Sequence, residues 1–373
     1  MHKMWDWLII GGGIHGAYAA ATLTRAAPEA AVAILDPRPP LAAWRQRANA
    51  CGMTYLRSPG AHHLGARADS LRRFAAEHGY AGQHSLGVYQ QPSRALFEHH
   101  ADTMLADLSR IDAAGESITR HGATWLVDDN AGDTHQARRV VLATGPNGLH
   151  RPLDAPHVFD AAFELPPTPQ RLAIVGGGLS AARLALHALE AGHAVRWLTR
   201  KQPRQATFDS DPCFAGPKCL TPFQTASLAE RRRQLIAARN PGTLPPSVYA
   251  HITAEIASGA IDWRRAPAPR LTDGGIDTGN NATLAADVVV QATGLTNCPD
   301  SSHLLGRTAA QLDMDFDADG NLEADDALQI APGLHVVGRP ASLVVGPMAP
   351  NIRGARMAAE RLATVARSQA LAA

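Results

Sequence analysis

The chain has 373 residues, a formal net charge of +1 and 45% hydrophobic residues. This length can bury a sizeable core and predicts about two domains, which excludes a small single module. Acids and bases are interspersed and nearly balanced, so nothing indicates a nucleic-acid or anionic-membrane partner. No apolar run is long enough to span a bilayer, and the four cysteines are too few and scattered for a disulfide framework or a CxxC metal site. We therefore expect a cytoplasmic protein without a metal, whose partner is a small molecule.

The first predicted unit is a strand, a glycine turn, a helix and a second strand that ends in an acid. The apolar run 7–10 leads into a G-x-G-x-x-G turn at 11–16, and the strand 32–35 ends at Asp36. Such a turn places the free N–H groups of the following helix at a pyrophosphate, and the acid accepts hydrogen bonds from ribose hydroxyls. The pattern predicts a dinucleotide site. Its candidate residues are Gly11, Gly13, Ile14, His15, Gly16, Asp36, Pro37, Arg38 and Trp44.

The chain between the first unit and its next buried strand is irregular. Residues 37–59 are rich in proline and arginine and are predicted to be a loop, which in a flavoprotein would run along the flavin. Amphipathic helices are predicted at 69–77 and 92–108, and a hairpin at 118–137. A buried strand at 139–145 then ends in Ala-Thr-Gly. This end adds Thr144 and Gly145 to the candidate residues.

A second unit of the same kind follows a proline-rich crossing at 152–169. The strand 172–175 is followed by a G-x-G-x-x-A turn at 176–181, a helix at 182–190 and a strand at 194–198. Much later, the strand 287–291 again ends in Ala-Thr-Gly. The chain therefore contains one pattern twice, and it predicts two nucleotide-binding folds.

The second unit ends in cations where the first ends in an acid. Arg200 and Lys201 follow its second strand, and a cationic end suits the 2′-phosphate of NADP better than a bare ribose. The alternative is a solvated surface pair. The candidate residues of this site are Gly176, Gly178, Leu179, Ser180, Ala181, Arg200, Lys201, Thr293 and Gly294.

The remaining segments complete the predicted fold. Residues 201–252 form a long, proline-rich loop with one helical piece at 228–239, of the kind that carries substrate. A last strand at 333–338 precedes a terminal helix from Asn351, which adds Gly338, Asn351 and Ile352 to the first site. We predict an α/β protein with two Rossmann-like dinucleotide-binding domains, one inserted into the other. The outer domain comprises 1–168 and 299–373, and the inner domain 169–298.

Two glycine turns, each closed by Ala-Thr-Gly, with the second unit inserted into the first, resemble the flavoproteins with two dinucleotide-binding domains. The resemblance implies FAD in the outer domain, NADPH in the inner one, and a terminal helix that points at the flavin. In that class an aspartate usually follows the glycine of the last strand, whereas this chain has Arg339.

Within this class, several stretches resemble the flavin-dependent N-hydroxylating monooxygenases that oxidise ornithine or lysine. These are Trp44 with Gly52 and Met53, the segment 91–97, Gly-x-Ser-Ala-Ala at 178–182, and the segment 208–214. The chain differs from that family at Leu179 and Arg183, where the family has Gln and Glu. The resemblance implies that NADPH reduces FAD and that O₂ then oxidises a small, amine-like substrate. A homo-oligomer is compatible with these expectations. It also places Met53, Arg57 and Asn351 in the flavin environment.

Cys51 allows a different interpretation. Cys51-Gly52-Met53 also resembles the single redox cysteine of NADH peroxidases and coenzyme A disulfide reductases, and positive charge from Arg45 or Arg47 would stabilise a thiolate there. A buried small hydrophobe is the structural alternative. A non-catalytic redox sensor that binds FAD and NAD(P) is a third reading of the chain.

Overall fold

The computed structural model describes residues 3–80, 82, 84–146, 148–279, 282–296 and 299–370. Cys298, one of the four cysteines, lies outside these residues. The helices of the described part are α1 (Ile14–Ala26), α2 (Ala42–Ala50), α3 (Ser70–Glu77), α4 (Arg94–Leu105), α5 (Leu179–Glu190), α6 (Pro217–Thr225), α7 (Leu228–Ala237), α8 (Pro246–Ala257), α9 (Leu304–Gln311), α10 (Ser342–Val345) and α11 (Ile352–Ala370).

The first parallel sheet lies at the centre of the larger core. Its central strands are continuous apolar runs, because such a sheet is covered on both faces. Its first pair is antiparallel and the other neighbours are parallel. The strand order is Gln329–Ala331, Leu334–Val336, Val140–Leu142, Trp7–Ile10, Val32–Leu35 and Arg110–Ile111.

The strand order reverses at Trp7–Ile10, which confirms the predicted first unit. Its neighbour on one side follows through α1, and its neighbour on the other side comes from much later in the chain. In open α/β sheets a ligand binds outside the carboxyl ends of the strands at such a switch point. Helix α1 begins at Ile14, three residues before the predicted Ala17, and α11 packs along it.

The second parallel sheet repeats this arrangement with four strands. Their order is Ile261–Arg265, Ala194–Thr199, Arg171–Val175 and Val288–Gln291. Helix α5 connects the two central strands and packs on both. The order reverses at Arg171–Val175, so the second glycine turn also lies at a switch point.

Smaller sheets and strand pairs complete the structure. The predicted hairpin is present, and it extends into a four-stranded sheet of Met4–Trp5, Thr134–Ala137, Thr124–Asp129 and Gly115–His121. A three-stranded sheet comprises Arg270–Thr272, Gly275–Asp277 and Thr283–Ala285. Short strand pairs are Ser85–Leu86 with Gln91–Pro92, Gly148–Leu149 with Leu295–Thr296, and Arg204–Gln205 with Thr243–Leu244.

The prediction of loops is wrong in two segments of the chain. Residues 37–59 contain α2, and residues 201–252 contain α6 and most of α8 in addition to α7, which matches the helical piece predicted at 228–239. The proline-rich composition predicts loops, but Pro217 and Pro246 occupy the first position of a helix. Proline fits there because the N–H that it lacks would have no partner inside the helix.

The segment 208–239 packs on the first sheet's core, although it follows the second glycine turn in sequence. Phe214, Phe223 and Leu235 belong to the same apolar cluster as Trp7–Ile10. Within this segment Cys213 and Cys219 form a disulfide, with Cα atoms 5.5 Å apart. The four cysteines were predicted to be too few and scattered for a disulfide framework, and this single pair was not predicted from the sequence. A 3₁₀ turn at Pro212–Ala215 and the start of α6 bring the two cysteines together.

Candidate nucleotide and flavin sites

The two glycine turns have matching geometry. Gly11 has φ +106°, and a Cβ there would lie 2.4 Å from the carbonyl oxygen of Ala143. Gly176 has φ +150°, and a Cβ there would lie 2.3 Å from the carbonyl oxygen of Ala292. Both alanines begin an Ala-Thr-Gly end. The sequence pattern therefore has a packing cause, since each first glycine lies directly on the alanine of the neighbouring strand end.

The later glycines of the first turn have separate structural roles. A Cβ at Gly16 would lie 1.8 Å from the carbonyl oxygen of Gly11, so only glycine permits this contact. A Cβ at Gly13, by contrast, would have no atom within 4 Å. Gly13 is the N-cap of α1, and Ile14 begins the helix. This open N-terminus fits a pyrophosphate, which binds to first-turn N–H groups.

Asp36 holds the first turn through its carboxylate. Oδ2 accepts a hydrogen bond of 2.7 Å from the backbone N–H of Gly12, and Oδ1 accepts one of 2.8 Å from that of Arg38. Pro37 and Arg38 are exposed beyond it. Asp36 therefore lies beside the glycine turn as predicted, in the position of an acid that contacts a ribose.

His15 joins the glycine turn to the last strand of the sheet. Its ring lies close to Gly338, where a Cβ would be 3.7 Å from Cδ2 of His15. Burial lowers the pKa of His15 to about 4, although the backbone of Pro350 partly offsets the shift. The imidazole is therefore neutral at pH 7. Its Nδ1 is buried and has no partner within the described chain, so it has hydrogen-bonding capacity for a bound dinucleotide.

The second glycine turn, like the first, leads into a helix whose N-terminus is open. Gly178 is the N-cap of α5, which begins at Leu179. Ser180 and Ala181 follow in its first turn. Thr293 donates a hydrogen bond to the carbonyl of His150, and the backbone N–H of His150 donates one of 3.0 Å to Gly294. Both contacts connect the second unit to His150, which follows the last strand of the first unit. Thr144 and Gly145 lie at the corresponding end of the first unit.

Arg200 and Lys201 are exposed at the end of Ala194–Thr199. Thr199 fixes this end, because its hydroxyl donates to the carbonyl of Lys201 at 2.7 Å and accepts from Nε1 of Trp263 at 3.0 Å. Within the described residues the Arg200 side chain forms no hydrogen bond or ion pair. It is free to contact an anion.

Arg57 connects the loop that follows α2 to residues 206, 207 and 243 of the segment after the second glycine turn. Its guanidinium donates to the carbonyls of Ala206, Thr207 and Thr243 at 2.6, 3.1 and 3.1 Å, and to the hydroxyl of Thr243 at 2.9 Å. These bonds use all three guanidinium nitrogens. The structure therefore gives Arg57 a positioning role between segments, and its predicted place in the flavin environment stays a prediction.

Asn351 lies directly before α11, where its carbonyl accepts the helical hydrogen bond from Ala355 at 2.9 Å. The side-chain amide donates to Asp209 at 3.2 Å, and Asp209 forms an ion pair of 3.6 Å with Arg239. The contact with Asp209 was not predicted from the sequence. Ile352 and Ile14 pack in one apolar cluster beneath the two helix starts.

Cys51 is 3% exposed. Its thiol donates to the carbonyl of Arg47 at 3.2 Å. Burial raises the pKa of Cys51, and Arg183 and Arg94 offset the shift only in part. Met53, two residues later, packs against the apolar clusters of both units. The cysteine is therefore a protonated, enclosed thiol in this structure.

The predicted candidate Trp44 and the buried His63 both have structural partners. The ring of Trp44 lies 5.1 Å from that of Phe97. His63 holds its own loop, with contacts to the carbonyl of Ala68 and the N–H of Gly65. Among the residues that the structure describes, no group of three His, Cys, Asp or Glu could hold a metal ion. No described helix combines the length and apolar character that a membrane span requires.

Comparisons with known proteins agree with this architecture. Residues 8–147 match a family model described as FAD-NAD(P)-binding. The sequence has no significant match among curated proteins.

The fold is shared with solved flavoenzymes over the whole chain. The ornithine N-hydroxylase of Kutzneria sp. 744, determined with reduced FAD, NADP⁺ and L-ornithine, is 18% identical, with a TM-score of 0.78 over 99% of this chain and 100% of that chain. The L-lysine 6-monooxygenase of Pseudomonas syringae is 18% identical, with a TM-score of 0.70 over 98% and 99%. The bacillithiol disulfide reductase of Staphylococcus aureus is 15% identical, with a TM-score of 0.66 over 99% of both chains.

These similarities include both monooxygenases and a disulfide reductase, so at this identity they establish the fold and leave the reaction open. The predicted fold class and the predicted FAD and NAD(P) cofactors are confirmed. The chain contains an FAD-NAD(P)-binding domain and has the fold of the flavoproteins with two dinucleotide-binding units.

Proposed function

We propose that the protein is a cytoplasmic, NADPH- and FAD-dependent monooxygenase that acts with O₂ on a small, amine-like substrate. In this proposal FAD binds to the outer domain, residues 1–168 and 299–373, and NADPH to the inner domain, residues 169–298. The first glycine turn and Asp36 would hold FAD, which would supply the two-electron redox chemistry between NADPH and O₂. In the overall reaction one oxygen atom would enter the substrate and the other would leave as water.

The choice of reaction depends on one observation, the enclosed position of the Cys51 thiol. A flavoprotein thiol reductase needs a thiolate that reaches both flavin and substrate, and the thiolate is the nucleophile. Cys51 is enclosed, donates its proton to the carbonyl of Arg47, and has a pKa raised by burial. These properties favour a packing role. They support a monooxygenase over the alternative of a peroxidase or thiol reductase.

The coenzyme assignment rests on charge. Asp36 ends the strand of the first unit, whereas Arg200 and Lys201 follow the matching strand of the second. Both cations are exposed and a 2′-phosphate would find them unpaired. The two helix starts would hold the pyrophosphates. Arg57 holds the segments 52–57 and 206–243 together.

Turnover of the purified, FAD-containing protein tests the proposal. We expect NADPH oxidation coupled to O₂ uptake, with an hydroxylated product when the correct amine is supplied from a panel of diamines and basic amino acids. The variant Cys51→Ser should retain turnover within about twofold, with a packing cost of about 1 kcal/mol.

Two outcomes would contradict the proposal. If Cys51→Ser binds FAD but loses NADPH-dependent reduction of peroxide or disulfides, the thiol is the electron relay and the protein is a reductase. If neither O₂, peroxide nor a disulfide accepts electrons from NADPH while both nucleotides bind, the protein is a redox sensor. Ala48→Ser, a neighbouring buried position in α2, controls for the packing effect of a hydroxyl.

A further inference from the structure

A cavity of about 170 Å³ lies between α5, α8 and the segments 52–56 and 86–91. Its lining includes none of the residues of the two glycine turns, nor Asp36 or Arg200. The volume is close to that of protein cavities of about 150 Å³ that admit benzene. The cavity can therefore hold a small organic molecule in addition to the two nucleotides.

Arg183 lines this cavity from the second turn of α5, and it is 7% exposed. Its Nη2 donates to the carbonyl of Tyr55. Its Nη1 is buried without a hydrogen-bond partner, and the guanidinium forms no ion pair with any residue that the structure describes. Arg183 is thus a buried cation whose hydrogen bonds are incomplete.

The charged groups around Arg183 do not neutralise it. Arg57 is a cation, and burial lowers the pKa of Arg183, with Arg57 adding to the shift. Cys51, the group that favours the charged guanidinium, is itself a thiol of raised pKa. A buried charge without a partner is costly, and the cost falls when an anion pairs with it.

The residues that line the cavity favour a carboxylate over a phosphate. Leu56, Leu86 and Leu186 provide apolar surface, and Glu190 stands exposed at the rim. One guanidinium beside apolar side chains matches a single carboxylate on a carbon skeleton, because the planar fork donates two parallel hydrogen bonds to a carboxylate. A doubly charged phosphate would meet only one lining arginine and would be repelled by the rim glutamate.

We infer that this cavity binds a small organic carboxylate and that Arg183 pairs with the carboxylate group. The inference goes beyond the proposed function, since it requires binding and not turnover. The carboxylate can belong to the substrate or to a separate effector. Substrate carboxylates would be consumed together with NADPH and O₂, whereas effectors would bind unchanged.

Isothermal titration with acetate and propionate tests the inference on FAD-containing protein saturated with NADP⁺. Chloride and phosphate at matched ionic strength are the reference anions. We expect saturable binding of propionate that is tighter than that of acetate, because the methyl group gains apolar contact. Arg183→Met should raise the Kd at least about tenfold, and Arg183→Lys should give an intermediate value.

Two further variants keep the test decisive if Arg183→Met folds poorly. Val248→Phe fills the cavity from α8 and leaves Arg183 in place, so carboxylate binding should be lost. Arg231→Met is the matched control, because Arg231 donates to the carbonyls of Ala226 and Leu343 away from the cavity. It should leave the Kd unchanged.

Four outcomes would overturn the inference. They are the absence of saturable carboxylate binding, an unchanged Kd in Arg183→Met, tighter binding of phosphate than of propionate, and competition between propionate and NADP⁺. The last result would assign the cavity to the coenzyme. None of these outcomes depends on O₂ chemistry, so the binding experiment tests this inference independently of the proposed function.

Discussion

Replacement of Arg200 by alanine should weaken NADPH without affecting NADH. Within the described chain the Arg200 side chain has no hydrogen bond or ion pair, and the turn is held instead by Thr199 with Lys201 and Trp263. The free protein therefore loses no contact in Arg200→Ala. An exposed ion pair contributes up to about 1 kcal/mol, which corresponds to about a fivefold change in affinity.

Steady-state kinetics with both coenzymes measure this effect. We expect the KM for NADPH to rise about fivefold in Arg200→Ala and about 25-fold in the double variant with Lys201→Ala, if the two contacts are additive. The KM for NADH should stay within about twofold. The difference should shrink between about 0.01 and 1 M salt, where the Debye length falls from about 30 to about 3 Å.

Arg270→Ala is the matched control, because Arg270 is an exposed arginine on the separate antiparallel sheet. It should leave both KM values unchanged. Equal loss for NADPH and NADH in Arg200→Ala would refute the reasoning and would mean that Arg200 supports the turn. An unchanged KM for NADPH would mean that the cations are a solvated surface pair.

Three further predictions concern the cofactor, pH and the cysteines. Asp36→Ala should weaken FAD at least about tenfold, because the acceptor for Gly12 is lost; flavin released on denaturation measures this, and release of FMN from the parent protein would contradict the site. His335 is fully buried, and burial lowers its pKa to about 4. Because the unfolded state then binds a proton that the folded state does not, the free energy of unfolding should fall by up to about 3 kcal/mol as pH drops from 6.5 to 4. His335→Phe should flatten that dependence in urea titrations, and an unchanged slope would exclude His335 as its source. Reduced protein should show two more free thiols than denatured, unreduced protein, since the disulfide pairs Cys213 with Cys219; equal thiol counts in both states would exclude it.

Local sequence patterns were sufficient to predict the two nucleotide folds. Each first glycine lies on the alanine of an Ala-Thr-Gly end, so the two motifs report one contact at the centre of each sheet. The strands are continuous apolar runs because the sheets are covered on both faces. Helices α6 and α8 were missed because proline at a helix start and proline in a loop have the same local signature.

The tertiary structure alone decided what several polar side chains contact. Arg57 bonds to carbonyls about 150 and 186 positions away, and Asn351 to Asp209 142 positions away. Arg183 was visible in the sequence only as a departure from a family motif, and its burial without an ion-pair partner depends on how α5 packs against Tyr55. Periodicity and motif spacing report the local backbone and the direction of a buried face. They do not report which distant groups meet, because those contacts depend on how the separately formed units pack together.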